Sequence, residues 1–245
     1  MNKDFLDGLT VNRGKTVTEA LKRLYKGVLD LNDMIGLDTS SEPLKGLYKA
    51  LRQEEVGEIF KAIDEEDAVE FLDGVIDGLV IGSYEYVLKH PKGDVMGINL
   101  SEVRLRTELT LLSDIYEDYD ISDVLPLLEN IFYTMDIDHN KAVDEVLKSN
   151  FSKFPTVEEF IDAWSYKKDN EVILYDSIAL EIACVKYKGR YDDITTTLVK
   201  DSKGIERIIF WAGIDNEKDD PKLASPKYIK PCTFVEPDFG SCLNF

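Results

Sequence analysis

This chain predicts a mainly α fold, a helical bundle with a small β-hairpin region towards the C-terminus. Three observations carry that expectation. The first two thirds repeat apolar residues at the three-and-four spacing of a helix face. A β-branched run at 194–199 and an apolar run at 205–211 flank the turn signal Asp201-Ser202-Lys203-Gly204. The chain has 245 residues, 44% of them hydrophobic and 10% aromatic, enough to build a sizeable core. The expected division is a helical domain over 1–165, followed by a C-terminal α+β extension over 166–245 that holds the hairpin.

Residues 18–31 place Ala20, Leu21, Leu24, Tyr25, Val28 and Leu31 on one helix face. Ser40-Ser41-Glu42-Pro43 is a helix start, a capping hydroxyl followed by proline in the first turn. The helix behind it is expected to reach about residue 62. A short acidic turn at 63–67 leads into a long helix over 68–89, which His90-Pro91-Lys92-Gly93-Asp94 stops. Further helices are expected at 101–116, 121–133, 141–149 and 157–165. Val172-Ile173-Leu174-Tyr175 is compatible with a strand start, and 178–187 with one more helix. Residues 215–220 form a charged loop, and the tail contains Lys230-Pro231 and Glu236-Pro237-Asp238.

Charge narrows the function. Against 29 Lys+Arg stand 48 Asp+Glu, a net −19. Such a surface repels phosphate backbones and anionic lipids, which argues against nucleic-acid and membrane binding. An anionic small substrate is admitted only where a metal or a local basic group reverses the field. The N-terminus lacks the apolar stretch of a signal peptide, and no run approaches a membrane span. Cys184, Cys232 and Cys242 are sparse and unpaired in spacing, which suits a reducing cytoplasm. Having His90 and His139 alone argues against histidine-rich metal sites, and metal–carboxylate chemistry is what the composition leaves open. His139 reads as a residue at a helix start rather than a catalyst.

The acids break the apolar pattern. At 100° per residue, Glu55 lies about 40° from Leu51 and Glu58 about 20° from it on the other side. Both are therefore expected on the buried stripe, with Glu54 nearer its edge. On the following helix Ala68, Phe71, Leu72, Val75, Ile76 and Leu79 cover one broad side. Asp73 and Asp77 share the other side with Val80, Tyr84 and Val87, and Glu70 lies about 60° from Asp73. A helix apolar on two sides is a central one, so its acids face the interior. Unpaired carboxylates there need a cation, strong donors or raised pKa values. Gly74, Gly78 and Gly82 each weaken the helix by about 1 kcal/mol, and close approach of a neighbouring backbone or a ligand is the expected compensation. Two helices offering carboxylates at these spacings make an all-oxygen site suited to Mg²⁺ or Mn²⁺.

Glu54-Glu55-x-x-Glu58, followed by Glu70-x-x-Asp73 and Asp77, resembles the all-α nucleoside triphosphate pyrophosphohydrolases, which include MazG-like, dimeric dUTPase-like and phosphoribosyl-ATP pyrophosphohydrolase-like proteins. The segment Asp144-Glu145-Val146-Leu147-Lys148-Ser149-Asn150-Phe151-Ser152-Lys153 is similar to the (E)VxxSNxSK motif of phage and bacterial MazG-like members. Lys230-Pro231 with Pro237-Asp238 is similar to their KP…PD tail. The resemblance implies an all-α pyrophosphohydrolase bundle holding Mg²⁺ (or Mn²⁺), working as a homodimer or homotetramer. It implies cleavage of a nucleoside triphosphate between the α- and β-phosphates. Carried over by position, Glu55, Glu58 and Asp77 are metal ligands, with Glu70 and Asp73 beside them. The register of the fourth ligand stays open, because Asp77 rather than Asp73 precedes the apolar run Leu79-Val80-Ile81. Glu54 orients a water or supports the site, and Ser149, Asn150 and Lys153 contact phosphate. Residues 99–133 are long for a minimal member and read as inserted helices serving as a lid or dimer contact.

Two other classes compete with the hydrolase reading. An acidic interaction protein that imitates nucleic acid accounts for the net charge, and a nucleotide sensor on the same fold keeps binding without turnover.

Overall fold

The computed structural model describes residues 16–36, 42–90, 105–116, 119–165, 190–201, 203–216 and 222–244. The expected strand start at 172–175, the expected helix at 178–187, the capping serines at 40–41, the loop at 91–94 and Cys184 lie outside them. Seven helices are described: α1 (Thr16–Ile35), α2 (Glu42–Glu65), α3 (Ala68–Lys89), α4 (Leu105–Ile115), α5 (Ile121–Thr134), α6 (His139–Ser152) and α7 (Val157–Ser165). They are followed by strands β1 (Tyr191–Lys200), β2 (Glu206–Asp215) and β3 (Lys222–Tyr228). The mainly helical architecture is as the apolar periodicity predicts.

Local chemistry accounts for the helix starts. The Asp67 carboxylate accepts from the Val69 and Glu70 amides at 3.0 and 3.1 Å and caps α3. Asp120 caps α5 by accepting from the Ser122 amide at 3.0 Å. That backbone bond, aided by Lys89, holds the Asp120 carboxyl down at about 2. At α7 the Thr156 hydroxyl accepts from the Glu159 amide while Glu159 accepts from the Thr156 amide, a reciprocal capping box.

The chain forms two compact units. The first comprises Met1–Asn32, Leu37–Leu147 and Pro237–Phe245, and the second Asp33–Gly36 and Lys148–Glu236. The expected boundary after residue 165 therefore moves upstream, and the last residues return to the helical unit. Side-chain burial gives the reason. Phe239 and Cys242 join the core of the first unit, whereas Phe160 of α7 packs 5.1 Å from Phe210 in the core of the second.

In the first unit α1 buries Ala20, Leu21, Leu24, Tyr25, Val28 and Leu31, the face the spacing predicts. Helix α3 is central, with Phe71, Leu72, Val75, Ile76, Leu79, Val80, Tyr84 and Leu88 buried. The inserted helices differ from the expected lid. Helix α5 packs against α3, and its Ile121, Val124, Leu125, Leu128, Ile131 and Phe132 are core residues. Its Leu128 approaches Gly78, and its Ile121 and Leu125 approach Gly82, so two of the α3 glycines admit α5.

The second unit carries a three-stranded antiparallel sheet in the order β1-β2-β3, one strand more than the expected hairpin. The register pairs Thr196 with Phe210 and Thr197 with Ile209, and Trp211 with Tyr228. The turn closes through Gly204 at φ 77, a left-handed value that favours glycine. Strand β3 contains Pro226, which removes a ladder donor and is tolerated because β3 is an edge strand among the described residues. That proline and the flanking lysines conceal the strand from pattern reading.

Candidate functional site

Helices α2 and α3 run antiparallel, joined by a tight turn in which Glu66 adopts a left-handed φ of 58. They approach closely at Gly74. A Cβ there would lie 3.2 Å from the Ile59 backbone nitrogen, 3.0 Å from Ile59 Cγ1 and 3.4 Å from the Glu55 carbonyl oxygen. At Gly78 it would lie 3.9 Å from Glu55 Cβ. The glycines thus bring the Glu55 turn of α2 onto the Asp73–Asp77 side of α3, the close approach their spacing predicts.

This packing gathers the expected acids into one electrostatic cluster. Glu55 is half-buried, and its carboxyl is pushed up to about 9, first by burial and then by Asp77, Glu58, Asp73 and Glu54. Glu58 is also raised, by burial and then by Glu54, Asp77 and Glu70, against the opposing charge of Lys61. Asp73 and Asp77 are half-buried beside them. The expected placement of Glu58 on the buried stripe needs correction, because Glu58, Glu54 and Glu70 are exposed. The helix wheel locates a residue around its own axis, whereas burial depends on which neighbour covers that face. Close contact between α2 and α3 occurs through Glu55 and Ile59, and Glu58, between them along the helix, lies on a face that contact leaves exposed.

The donor set is wholly carboxylate oxygen, which fits a hard divalent cation such as Mg²⁺ or Mn²⁺. Among the described residues, no three Asp, Glu, His or Cys side chains are already gathered into a metal cage. The fit therefore rests on the identity and charge coupling of these groups, with Glu55 the most strongly perturbed.

One helical turn before Glu55, the same pair of helices carries a different polar arrangement, which the sequence reading missed. Arg52 is 0% exposed, and its Nε donates to Glu85 Oε2 at 2.6 Å. Arg52 also donates to the Tyr116 and Tyr119 carbonyls at 2.9 and 3.4 Å. Lys89 Nζ stands 3.0 Å from both Glu85 Oε1 and Asp120 Oδ2. The signal available in advance was an arginine and a glutamate interrupting buried faces of consecutive helices.

Ser149, Asn150 and Lys153 belong to the second unit, at the C-terminal end of α6. Ser149 is buried, and its carbonyl accepts from Ser152 Oγ at 2.6 Å. Asn150 Oδ1 accepts from Lys153 Nζ at 2.8 Å. His139 opens α6 as expected, its ring buried edge-on against Phe132 and its Nε2 2.8 Å from the Phe132 carbonyl oxygen. Among the described residues, no helix is long and apolar enough to cross a membrane. No family model, curated protein or solved structure matches the chain.

Proposed function

We propose that this chain is a Mg²⁺-dependent nucleotide pyrophosphohydrolase, cleaving a canonical or modified (d)NTP to a nucleoside monophosphate and pyrophosphate. The observation that supports it most is the carboxylate cluster across α2 and α3, in which Glu55 is held at about 9 by burial and four neighbouring acids. Like charges gathered around a partly desolvated carboxyl are costly unless a proton or a cation balances them, and such clusters are concentrated at functional sites. In this reading Glu55, Glu58 and Asp77, with Glu70 and Asp73, hold the cation, and Glu54 orients the attacking water. The bound ion supplies charge neutralisation at the phosphate and a more acidic water. Water adds to the α-phosphorus, the bond from that phosphorus to the α–β bridging oxygen breaks, and pyrophosphate departs. The water's proton passes to a carboxylate of the cluster. For Ser149, Asn150 and Lys153 of the second unit, contact with the phosphates is proposed from the sequence resemblance alone. The working species is proposed to be a homodimer or homotetramer, which light scattering coupled to gel filtration measures.

The test is pyrophosphate release from a panel of NTPs and dNTPs with Mg²⁺ and with chelator. Mg²⁺-dependent release is expected, and absence of release across the panel refutes the reading. An acidic interaction protein is the second reading, favoured by the exposure of Glu54, Glu58 and Glu70 in a chain of net −19. Salt-sensitive, metal-independent binding to a basic DNA-binding protein, with no turnover, would select it. Nucleotide binding without product would instead select a sensor.

A further inference from the structure

We propose that Lys230 and Phe234 join Lys153 and Asn150 in a binding site for the phosphate chain of a nucleotide on the second unit. This rests on the pyrophosphohydrolase reading and extends it to residues that otherwise pass for surface charge.

The site is built by the turn that follows β3. Ile229 is buried, and its amide donates to the Phe210 carbonyl at 3.0 Å, anchoring the segment to the sheet. The Phe234 amide donates to the Pro231 carbonyl at 3.0 Å and folds the chain back. Ser152, the last residue of α6, then clasps the turn from both sides. Its carbonyl accepts from Thr233 Oγ1 at 3.2 Å, and its Oγ accepts from the Val235 amide at 2.9 Å. Phe234 is thereby fixed next to the helix end that carries Asn150 and Lys153.

The Phe234 ring collects two cations. Lys230 Nζ lies 4.2 Å from the ring centroid and Lys153 Nζ 5.9 Å from it. Their ammonium groups are therefore at most about 10 Å apart, about one Debye length at 0.1 M salt, so one extended anion feels both. Glu236 answers Lys230 at 3.4 Å, but with side chains 44% and 72% exposed the pair is weakly held and replaceable. Asn150 turns its carbonyl oxygen to Lys153, which leaves its NH₂ as the donor an anion meets.

The geometry selects an oligophosphate. A single carboxylate or monophosphate neutralises one ammonium, whereas a chain of phosphates carries charged oxygens to both. In a chain of net −19, two lysines gathered on one ring are a local concentration of positive charge. A nucleic-acid strand offers the same phosphates, but the surrounding charge repels a long polyanion. The nucleotide is the ligand favoured.

The experiment measures binding of inorganic tripolyphosphate to the full chain by titration calorimetry without divalent metal. It compares wild type with Lys230→Gln, Lys230→Arg and Phe234→Leu, and circular dichroism checks the fold of each. Lys230→Gln is expected to weaken tripolyphosphate about tenfold or more, Lys230→Arg to restore most of the affinity, and orthophosphate to bind far more weakly. With a turned-over nucleotide, Lys230→Gln is expected to raise KM about tenfold while kcat changes little. Wild-type affinity in Lys230→Gln, or no binding of tripolyphosphate by wild type, overturns the site. Preferential, length-dependent binding of single-stranded DNA over tripolyphosphate also overturns it. The two proposals separate cleanly. Lys230-dependent tripolyphosphate binding without pyrophosphate release leaves the site standing and removes the hydrolase. Pyrophosphate release with an unchanged KM in Lys230→Gln does the reverse.

Discussion

Helices α2 and α3 handle charge between them twice, in opposite ways, about one turn apart on α2 and about two turns apart on α3. At Arg52 and Glu85 the charges are opposite, fully buried, and supplied with two backbone carbonyls and Lys89. At Glu55 the neighbours are Asp77, Glu58, Asp73 and Glu54, all of one sign, and the carboxyl is pushed up to hold its proton instead of being ion-paired. A compensated pair is a structural element. An uncompensated cluster is a place where the protein has left part of the electrostatic balance to a ligand. The two regions differ in depth and in the sign of the neighbours, and it is the sign that makes one region scaffold and the other candidate site.

The largest expected effect comes from breaking the compensated region. Arg52→Met leaves Glu85 buried without its main partner and is expected to lower stability by about 3–5 kcal/mol in urea unfolding. Adding Glu85→Leu to that variant should return much of the loss, because the buried charge is then gone. If Arg52→Met unfolds like wild type, the contrast between the two regions has no energetic content.

The uncompensated region predicts an unusual pH response. Burial and the neighbouring acids push the Glu55 carboxyl up from the ordinary glutamate value of 4.5 to about 9, so the folded state binds a proton the unfolded state has released. Its contribution is fully present below the unfolded pKa and is lost as pH rises towards 9, with a ceiling of about 1.4 kcal/mol per pH unit for one group. Thermal unfolding of the metal-free chain should therefore show stability falling from neutral to alkaline pH, and Glu55→Gln should flatten that slope. Mg²⁺ competes with the proton, so its stabilising effect should grow with pH and shrink in Glu55→Gln. A Glu55→Gln profile that tracks wild type would remove Glu55 from the cluster's charge balance.

Turnover sharpens the same contrast. Glu58 is exposed, so Glu58→Gln should leave the fold intact while lowering Mg²⁺-dependent pyrophosphate release by about two orders of magnitude, roughly 2.7 kcal/mol of barrier. Full activity in that variant would place the cation elsewhere.

The glycines provide the smallest and most discriminating test. Gly74→Ala puts a methyl 3.2 Å from the Ile59 amide nitrogen, forcing the helices apart at an expected cost of about 1–3 kcal/mol. Gly78→Ala meets Leu128 Cδ1 at 3.4 Å, an ordinary contact, and gains helix propensity. It should be neutral or stabilising by up to about 1 kcal/mol. Equal effects from the two would mean that the α2–α3 approach is not set at Gly74.

Much of this molecule is legible in its residues, and the limits of that legibility have a physical cause. Apolar spacing predicts α1 to α3 closely because helical period is local, and the acids at 54–58 and 70–77 follow from the same count. The β-branched run and its Gly204 turn predict β1 and β2 for a similar reason. What the tertiary structure decided is everything that depends on a distant neighbour. It determined that Glu55 is desolvated while Glu58 is exposed, and that Arg52 finds Glu85. It recruited β3 despite Pro226, returned Phe239 and Cys242 to the helical core, and made α5 part of that core. Periodicity specifies which way a side chain leaves its own helix. Burial and pairing are set by what another segment brings to that face, and the Gly74 contact shows that removing one methyl can determine how near it comes.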